Sequence, residues 1–303
     1  MASPLRMFTK TEYAVAVRFS DRDLLTDRRS PFSVLAPDED YWYADPFPYK
    51  RDGRYYVFME MMKKDAGYAG IGMSEYRDGA WTHPRMVIDT GSHLSFPLLF
   101  ERGGKLYMMP ESCAEGCVQV FACERFPDAW RRETVVLDGA FSDSVPFEWE
   151  GEPYLFTSKG TDDMYGNELF LFALRPEGGL WKARAGRSVS KDYRVSRMAG
   201  KVLPSGGKTY RVAQDCSRAD YGRALVFSQI LSCSPQQYTE RQTLRLAPRD
   251  VRTAQPLRGK AGIHTYNRLD DLDVIDFKLC TFSLKSTVQK FRIVAGMLLH
   301  RGR

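Results

Sequence analysis

Apolar runs too short to be helices recur along the chain, and each pair is split by a charged turn carrying glycine. "ADPFPYKRDGRYYVFMEMM" (44–62), "HLSFPLLFERGGKLYMMPES" (93–112), "DSVPFEWEGEPYLFTSKG" (143–160) and "MAGKVLPSGGKTYRVAQDCS" (198–217) share one build. Brief apolar segments bounded by Gly and Pro and rich in Tyr, Phe and Val read as the two strands of a hairpin. The turn glycines Gly53, Gly104, Gly151 and Gly207 are separated by 51, 47 and 56 residues, so the hairpin belongs to an internal repeat. Downstream of each comes a further apolar strand and then an aromatic anchor: "GIGMSEY" and Trp81, "VQVFAC" and Trp130, "LFLFAL" and Trp181, "ALVFSQI" and Tyr238. A fifth, degenerate unit is expected in "GIHTYNRLDDLDVIDFKLCTF" (262–282).

Each period therefore predicts a four-stranded antiparallel unit. One such unit cannot bury both faces by itself, whereas radial stacking buries them and leaves only short edges. The expected fold is all-β: a five-bladed β-propeller over residues 1–285, closed by the N-terminal strand "EYAVAVRFS" (12–20) pairing into the last blade. A β-sandwich or a pair of β domains is the alternative for strand-rich sequence of this kind. From Ser286 onward, Val288, Phe291, Val294, Met297 and Leu298 fall at three- and four-residue spacings, which predicts a short C-terminal amphipathic helix over 286–303.

Composition narrows the function classes. The excess of 44 basic over 38 acidic residues, a net charge of +6, is mild and spread out, and does not argue for nucleic acid. The exception is the tail, where Lys285, Lys290, Arg292, Arg301 and Arg303 meet no acid. Basic and amphipathic, it is suited either to peripheral contact with an anionic inner leaflet or to packing on the propeller. The N-terminus shows no secretory or membrane-spanning apolar segment, so the expected location is cytoplasmic, with membrane association through the tail. Six cysteines without a CxxC pair and four histidines show no zinc-type spacing, which leaves no metal or cofactor assigned. Scattered channel Asp residues can still ligate a cation.

In a propeller the innermost strands line a central channel, so polar residues about fifty positions apart converge at its mouth. On this reading Asp45, Ser95, Asp143 and His264 start the innermost strands, while Glu60, Glu111, Ser158 and Asp215 end the second strands at the same face. Clustered carboxylates oppose one another's ionisation and can divide acid and base roles, a division used at glycosidic bonds. Asp45, Glu111 and Asp143 are the candidate catalytic residues. Individually each of these acids can equally cap a turn. Glu60 and His93 are candidate substrate contacts, and Trp42, Tyr43, Phe47, Trp149 and Tyr266 can stack on sugars. In "RVAQDCSRADYGRAL" (211–225), Arg211, Arg218 and Arg223 can fork onto a phosphate or carboxylate, with Gln214, Asp215 and Tyr221 as contacts to hydroxyls, or the stretch is a salt-bridged loop. His264 and Asn267 of "GIHTYN" can donate to an anion or hydroxyl.

These segments together, with "RFPDAW", resemble the domain at the N-terminus of plant glucosamine inositolphosphorylceramide transferases and in many bacterial stand-alone proteins, over about residues 40–280. That domain is similar to the five-bladed propellers of arabinanases, levansucrases and invertases. The resemblance implies a catalytic Asp in the "ADP" motif, here Asp45, and a tuning acid at Asp143. It also implies a general-acid Glu in a later blade, where this chain has "RMAGKVL" and no Glu, so Glu111 stands in as substitute. The expected function is a glycosyltransferase of surface polysaccharide or glycolipid assembly, taking a sugar donor and a glycan or lipid-linked acceptor. Against it, no separate nucleotide-binding domain or glycine-rich phosphate loop is visible. The alternatives are a glycoside hydrolase of the propeller class and a non-catalytic carbohydrate-binding module.

Overall fold

The computed structural model describes residues 8–283 apart from 36–37, 65, 162–166 and 218–219. Five antiparallel sheets form a five-bladed propeller. Blade 1 runs outward from Tyr41–Arg51 through Arg54–Lys63 and Ala69–Arg77 to Arg85–Ile88; blades 2 and 3 repeat the meander from Ser95–Arg102 and from Ser142–Trp149. In blade 4 the innermost position is divided between Arg197–Met198 and Leu203–Ser205, both paired to Lys208–Asp215. Blade 5 is built from both ends of the chain. Thr9–Phe19 pairs along its whole length with Leu272–Phe282, which also carries Tyr266–Leu269 on its inner side. The ring is thus closed by backbone hydrogen bonds within blade 5, as the N-terminal strand predicted, and the edges that remain are the short ones of each blade. The predicted tail helix over 286–303 lies outside the described residues. Among the described residues no helix is long and apolar enough to cross a membrane.

The repeated aromatic anchors hold neighbouring blades together. Trp130 of blade 2 meets Phe58 of blade 1 edge-on at 6.0 Å, Trp181 of blade 3 lies 5.2 Å from Phe100 of blade 2, and Tyr238 of blade 4 lies 5.2 Å from Phe156 of blade 3. Trp81 of blade 1 stacks at 6.4 Å on Phe19 of blade 5. In every case the outer strand of one blade packs on the preceding blade, which explains why a large ring recurs at that point of each period. Deeper in, Phe47 and Phe96 pack edge-to-face at 4.7 Å between blades 1 and 2, in one apolar cluster with Phe58, Met108 and Phe156. Burying each such side chain contributes about 1.5–3 kcal/mol, so the inter-blade seams supply much of the driving force for closure.

One backbone feature prepares the site. The innermost strands of blades 1, 2 and 3 break register between Ala44 and Phe47, Ser95 and Leu98, and Ser142 and Val145. At each bulge one residue has positive φ: Asp45 (48°), Phe96 (48°) and Asp143 (51°). Left-handed backbone at a non-glycine residue costs about 1–2 kcal/mol and survives only where surroundings enforce it. Here it turns two carboxylates out of the strand's pleat and across the channel. In blade 2 the equivalent residue is Phe96, fully buried in apolar packing, and not Ser95 as the sequence reading expected.

Candidate active site

Two linked groups of polar residues meet at the channel mouth. In the first, Arg197 joins two blades: its Nε donates to Asp143 Oδ2 at 2.7 Å and its Nη2 to Glu111 Oε2 at 3.3 Å. Gln214 Nε2 also donates to Asp143 Oδ2 at 3.3 Å and to Met198 O at 2.9 Å, which anchors the carboxylate from behind. In the second, Asp45 receives the Thr265 hydroxyl on Oδ1, and its backbone N–H donates to Asp276 Oδ2 at 2.9 Å. Asp276 also accepts His264 Nδ1–H at 2.6 Å and the backbone N–H groups of His264 and Thr265 at 3.1 and 3.0 Å. The His264 ring lies between Tyr13, stacked at 4.6 Å, and the edge of Tyr221 at 5.2 Å. Tyr221 in turn faces the Arg197 guanidinium at 5.0 Å and so connects the two groups.

The cluster is nearly dry. Asp45, Glu60, Asp143 and His264 are each under a tenth exposed and Asp276 is fully buried, while Glu111, Arg197 and His93 form the more open rim. Burial pushes Asp143 up to about 7; Arg197 opposes this and the adjacent Glu111 adds to it. Burial likewise pushes Asp45 up to about 6, with His264 pulling down and Asp276 and Asp143 pushing up. Glu60 is held well above the ordinary carboxylate range by burial and then by Asp45, Glu111, Asp276 and Asp143. For His264 burial alone favours the neutral ring, but Asp276 and Asp45 outweigh it and the pKa is raised. Carboxyl groups that keep protons to near neutrality inside a channel are equipped for proton transfer.

Ligand-type atoms of Asp45, His264 and Asp276 lie within 4.8 Å of one another, close enough for a small cation. Both Asp276 oxygens, however, already accept the backbone and His264 protons named above, and Asp45 holds the Thr265 proton. The donor set is therefore satisfied as a hydrogen-bonded network, and a cation would have to displace His264 from Asp276.

Several residues singled out in the sequence meet here: Asp45, Glu60, Glu111, Asp143, Gln214, Tyr221 and His264. His93 lies at the rim, its Nε2 3.7 Å from Glu60 and its Nδ1 accepting the Ala69 N–H at 3.2 Å. Others do different work. Arg211 is fully buried, its guanidinium committed to Glu240 through Nε at 2.8 Å and Nη2 at 2.5 Å and to Val195 O through Nη1 at 2.8 Å. Asn267 ties three blades together by accepting Lys201 N–H at 2.7 Å and donating to Pro46 O at 2.8 Å. Asp215 turns away from the channel toward Arg245, 2.6 Å away. Gln214 instead stands opposite the innermost strand, paired with Arg197. Arg218 lies outside the described residues.

The sequence reading missed Arg197, Asp276 and Thr265. A counting signal was present for the remainder: Glu60, Glu111, Ser158 and Gln214 all fall seven residues after the turn glycines, and Asp45, Phe96 and Asp143 all eight before them. That count selects Gln214 over Asp215 and Phe96 over Ser95. It cannot reach Asp276, because the blade 5 hairpin turns at Asp270 and Asp271 without a glycine. Nor does it identify Arg197, whose strand is interrupted.

The chain matches the family described as "Glucosamine inositolphosphorylceramide transferase 1, N-terminal" over residues 36–274. It is 30% identical over 203 residues to glucosamine inositolphosphorylceramide transferase 1 of Arabidopsis thaliana, a match covering 65% of this chain and 26% of that protein. The protein of the same name from Oryza sativa subsp. japonica is 27% identical over 203 residues, covering 65% and 27%. The chain thus spans about a quarter of the length of the curated relatives it matches. Among solved structures, the catalytic domain of the Coprinopsis cinerea GH62 alpha-L-arabinofuranosidase superposes with a TM-score of 0.54 at 12% identity, covering 89% of this chain and 98% of that one. Zg3597, a family 117 glycoside hydrolase of Zobellia galactanivorans, gives 0.50 at 13% identity with 92% of each chain covered. At such identities the likeness concerns the fold.

Proposed function

The chain belongs to the family of the N-terminal domain of glucosamine inositolphosphorylceramide transferase 1, and on that premise we propose that it is a carbohydrate-active enzyme transferring a glycosyl unit to a hydroxyl acceptor, a glycan or a lipid-linked sugar, in surface-glycan or glycolipid assembly. The observation that carries this reading is the pair Asp45 and Asp143, buried carboxyls raised to about 6 and about 7 in one channel mouth. At neutral pH Asp45 is mostly ionised and can take the proton of the acceptor hydroxyl. The freed oxygen then bonds to the anomeric carbon as the bond from that carbon to the leaving oxygen breaks. Asp143, still about half protonated, can return a proton to the leaving oxygen, and the Arg197 guanidinium beside it offsets negative charge building there. Glu111, the more open carboxylate on the same guanidinium, is suited to hold sugar hydroxyls.

Hydrolysis is the second reading, and one observation favours keeping it: a carboxyl that retains its proton near neutrality is what departure of a sugar alkoxide requires, with water replacing the acceptor. The deciding experiment incubates the protein with nucleotide sugars, with and without lipid-linked or oligosaccharide acceptors, and follows free nucleotide beside free sugar. Acceptor-dependent nucleotide release that falls by about 10²–10⁴ in Asp45→Asn supports transfer. Sugar release from glycans or aryl glycosides, without nucleotide release, would establish the hydrolase. Binding of sugars unaffected by Asp45→Asn, with turnover of none, would leave a carbohydrate-binding module.

A further inference from the structure

Beside the central cluster, blade 4 and the start of blade 5 enclose a cleft of about 700 Å³ lined by Arg194, Asp215, Arg223, Arg245, Arg249 and Lys260. Its Asp215 ends the same strand that carries Gln214 to the channel mouth. Gln214 and Asp215 are consecutive residues at the end of one strand, and successive side chains of a strand point to opposite faces. Gln214 holds Asp143 on one side, and Asp215 enters the cleft on the other. The two sites therefore flank one strand end, joined through the adjacent residues Gln214 and Asp215.

The charge in the cleft is not balanced by its own acids. Asp215 takes Arg245 Nε at 2.8 Å and Nη2 at 2.6 Å, and the same oxygen lies 3.9 Å from Arg223. Arg194 forks onto Asp192, Arg249 lies 3.9 Å from Asp250, and Asp220 is shared between Arg223 at 3.9 Å and Lys278 at 2.8 Å. Lys260 donates to Val251 O at 3.1 Å and, among the described residues, forms no ion pair. Cations therefore exceed carboxylates by two around this cavity. Asp215 works as a brace: it spends two of the five N–H donors of Arg245 and leaves the remainder of that fork for another acceptor. Cations converging from an inter-blade connection, an outer strand and the next blade suit a tetrahedral oxyanion, whose oxygens point in several directions. A carboxylate has only two oxygens and is satisfied by a single fork.

We propose that this cleft is a phosphate subsite, holding a diphosphate or phosphodiester of the substrate whose sugar reaches the Asp45–Asp143 cluster; the link to that sugar rests on the transfer reading, whereas the subsite does not. The probe is inorganic pyrophosphate, titrated calorimetrically against the whole chain. Saturable binding is expected, and Arg249→Gln with Lys260→Gln should weaken it by about a hundredfold, about tenfold for each charge-assisted bond removed. Lys260 also bonds Val251 O and lies over the Phe277 ring, so the double variant should melt somewhat lower. Arg249→Gln alone, at an exposed side chain, should keep the melting temperature and still weaken binding by about tenfold. Asp143→Asn should bind pyrophosphate as the wild type does. Absence of saturable binding in the wild type, or unchanged affinity in the double variant, overturns the subsite. Uridine diphosphate against uridine, and inositol 1-phosphate against inositol, then distinguish a donor phosphate from a headgroup phosphate as its source. Pyrophosphate binding without turnover of any sugar substrate would sink the transfer reading and leave the subsite standing.

Discussion

Replacing Arg197 by Gln removes the cation between Asp143 and Glu111, and its effect on stability should depend on pH in a way that a simple packing loss would not. Asp143 is buried with a pKa raised from 3.8 to about 7. A group raised in the folded state stabilises fully below its unfolded value and loses that contribution as pH rises to the folded value, so in the wild type this contribution falls between about pH 4 and 7 and is flat above. Without Arg197 the ionised carboxylate has lost its partner, its pKa climbs further, and the fall continues beyond pH 7. At about 1.4 kcal/mol per unit, the variant should lose about 2.7 kcal/mol more than the wild type between pH 7 and 9. Breaking a buried pair costs about 3–5 kcal/mol, so the pKa has room to move by that much. Denaturant midpoints at pH 5, 7, 8 and 9 measure the difference, with Arg197→Lys expected to restore the flat limb. Curves for Arg197→Gln and wild type that run parallel above pH 7 would refute this account of Asp143.

Three other outcomes follow from the geometry. Turnover should show a narrow bell in kcat/KM with its maximum between about pH 6 and 7, because Asp45 must be ionised and Asp143 protonated; a plateau extending to pH 9 would remove Asp143 from proton donation. Gly222→Ala should both destabilise the fold and depress turnover, since φ is +62° there and an added Cβ would lie 2.7 Å from His264 Cβ, displacing the loop that carries Tyr221; thermal melting and sugar turnover on the same sample check it. Arg211→Met should cost about 3–5 kcal/mol by stranding Glu240, while Arg211→Met combined with Glu240→Leu should recover most of it, and a ligand-binding Arg211 would instead show as lost substrate affinity in the double variant.

The blade count, the closure by the N-terminal strand and the places of Asp45, Glu111 and Asp143 were legible in the chain, because strand length, turn glycines and the inter-blade Trp or Tyr are local properties repeated at a nearly constant period. A residue's distance from its turn also fixes its height in the blade, so counting from Gly53, Gly104 and Gly151 finds the channel-facing positions. Partnership was not legible. Asp143 and Arg197 are 54 residues apart, Asp45 and Asp276 231, and their meeting depends on bulges that rotate side chains across the channel and on the angle between blades. The same limit explains Arg211 and Asp215, which neighbour the site in sequence but lie elsewhere in the fold. Strand alternation sends Gln214 inward and Asp215 outward, and only the neighbouring outer strand, bringing Glu240 and Arg245, decides that one arginine is sealed in an ion pair while another lines an open cleft.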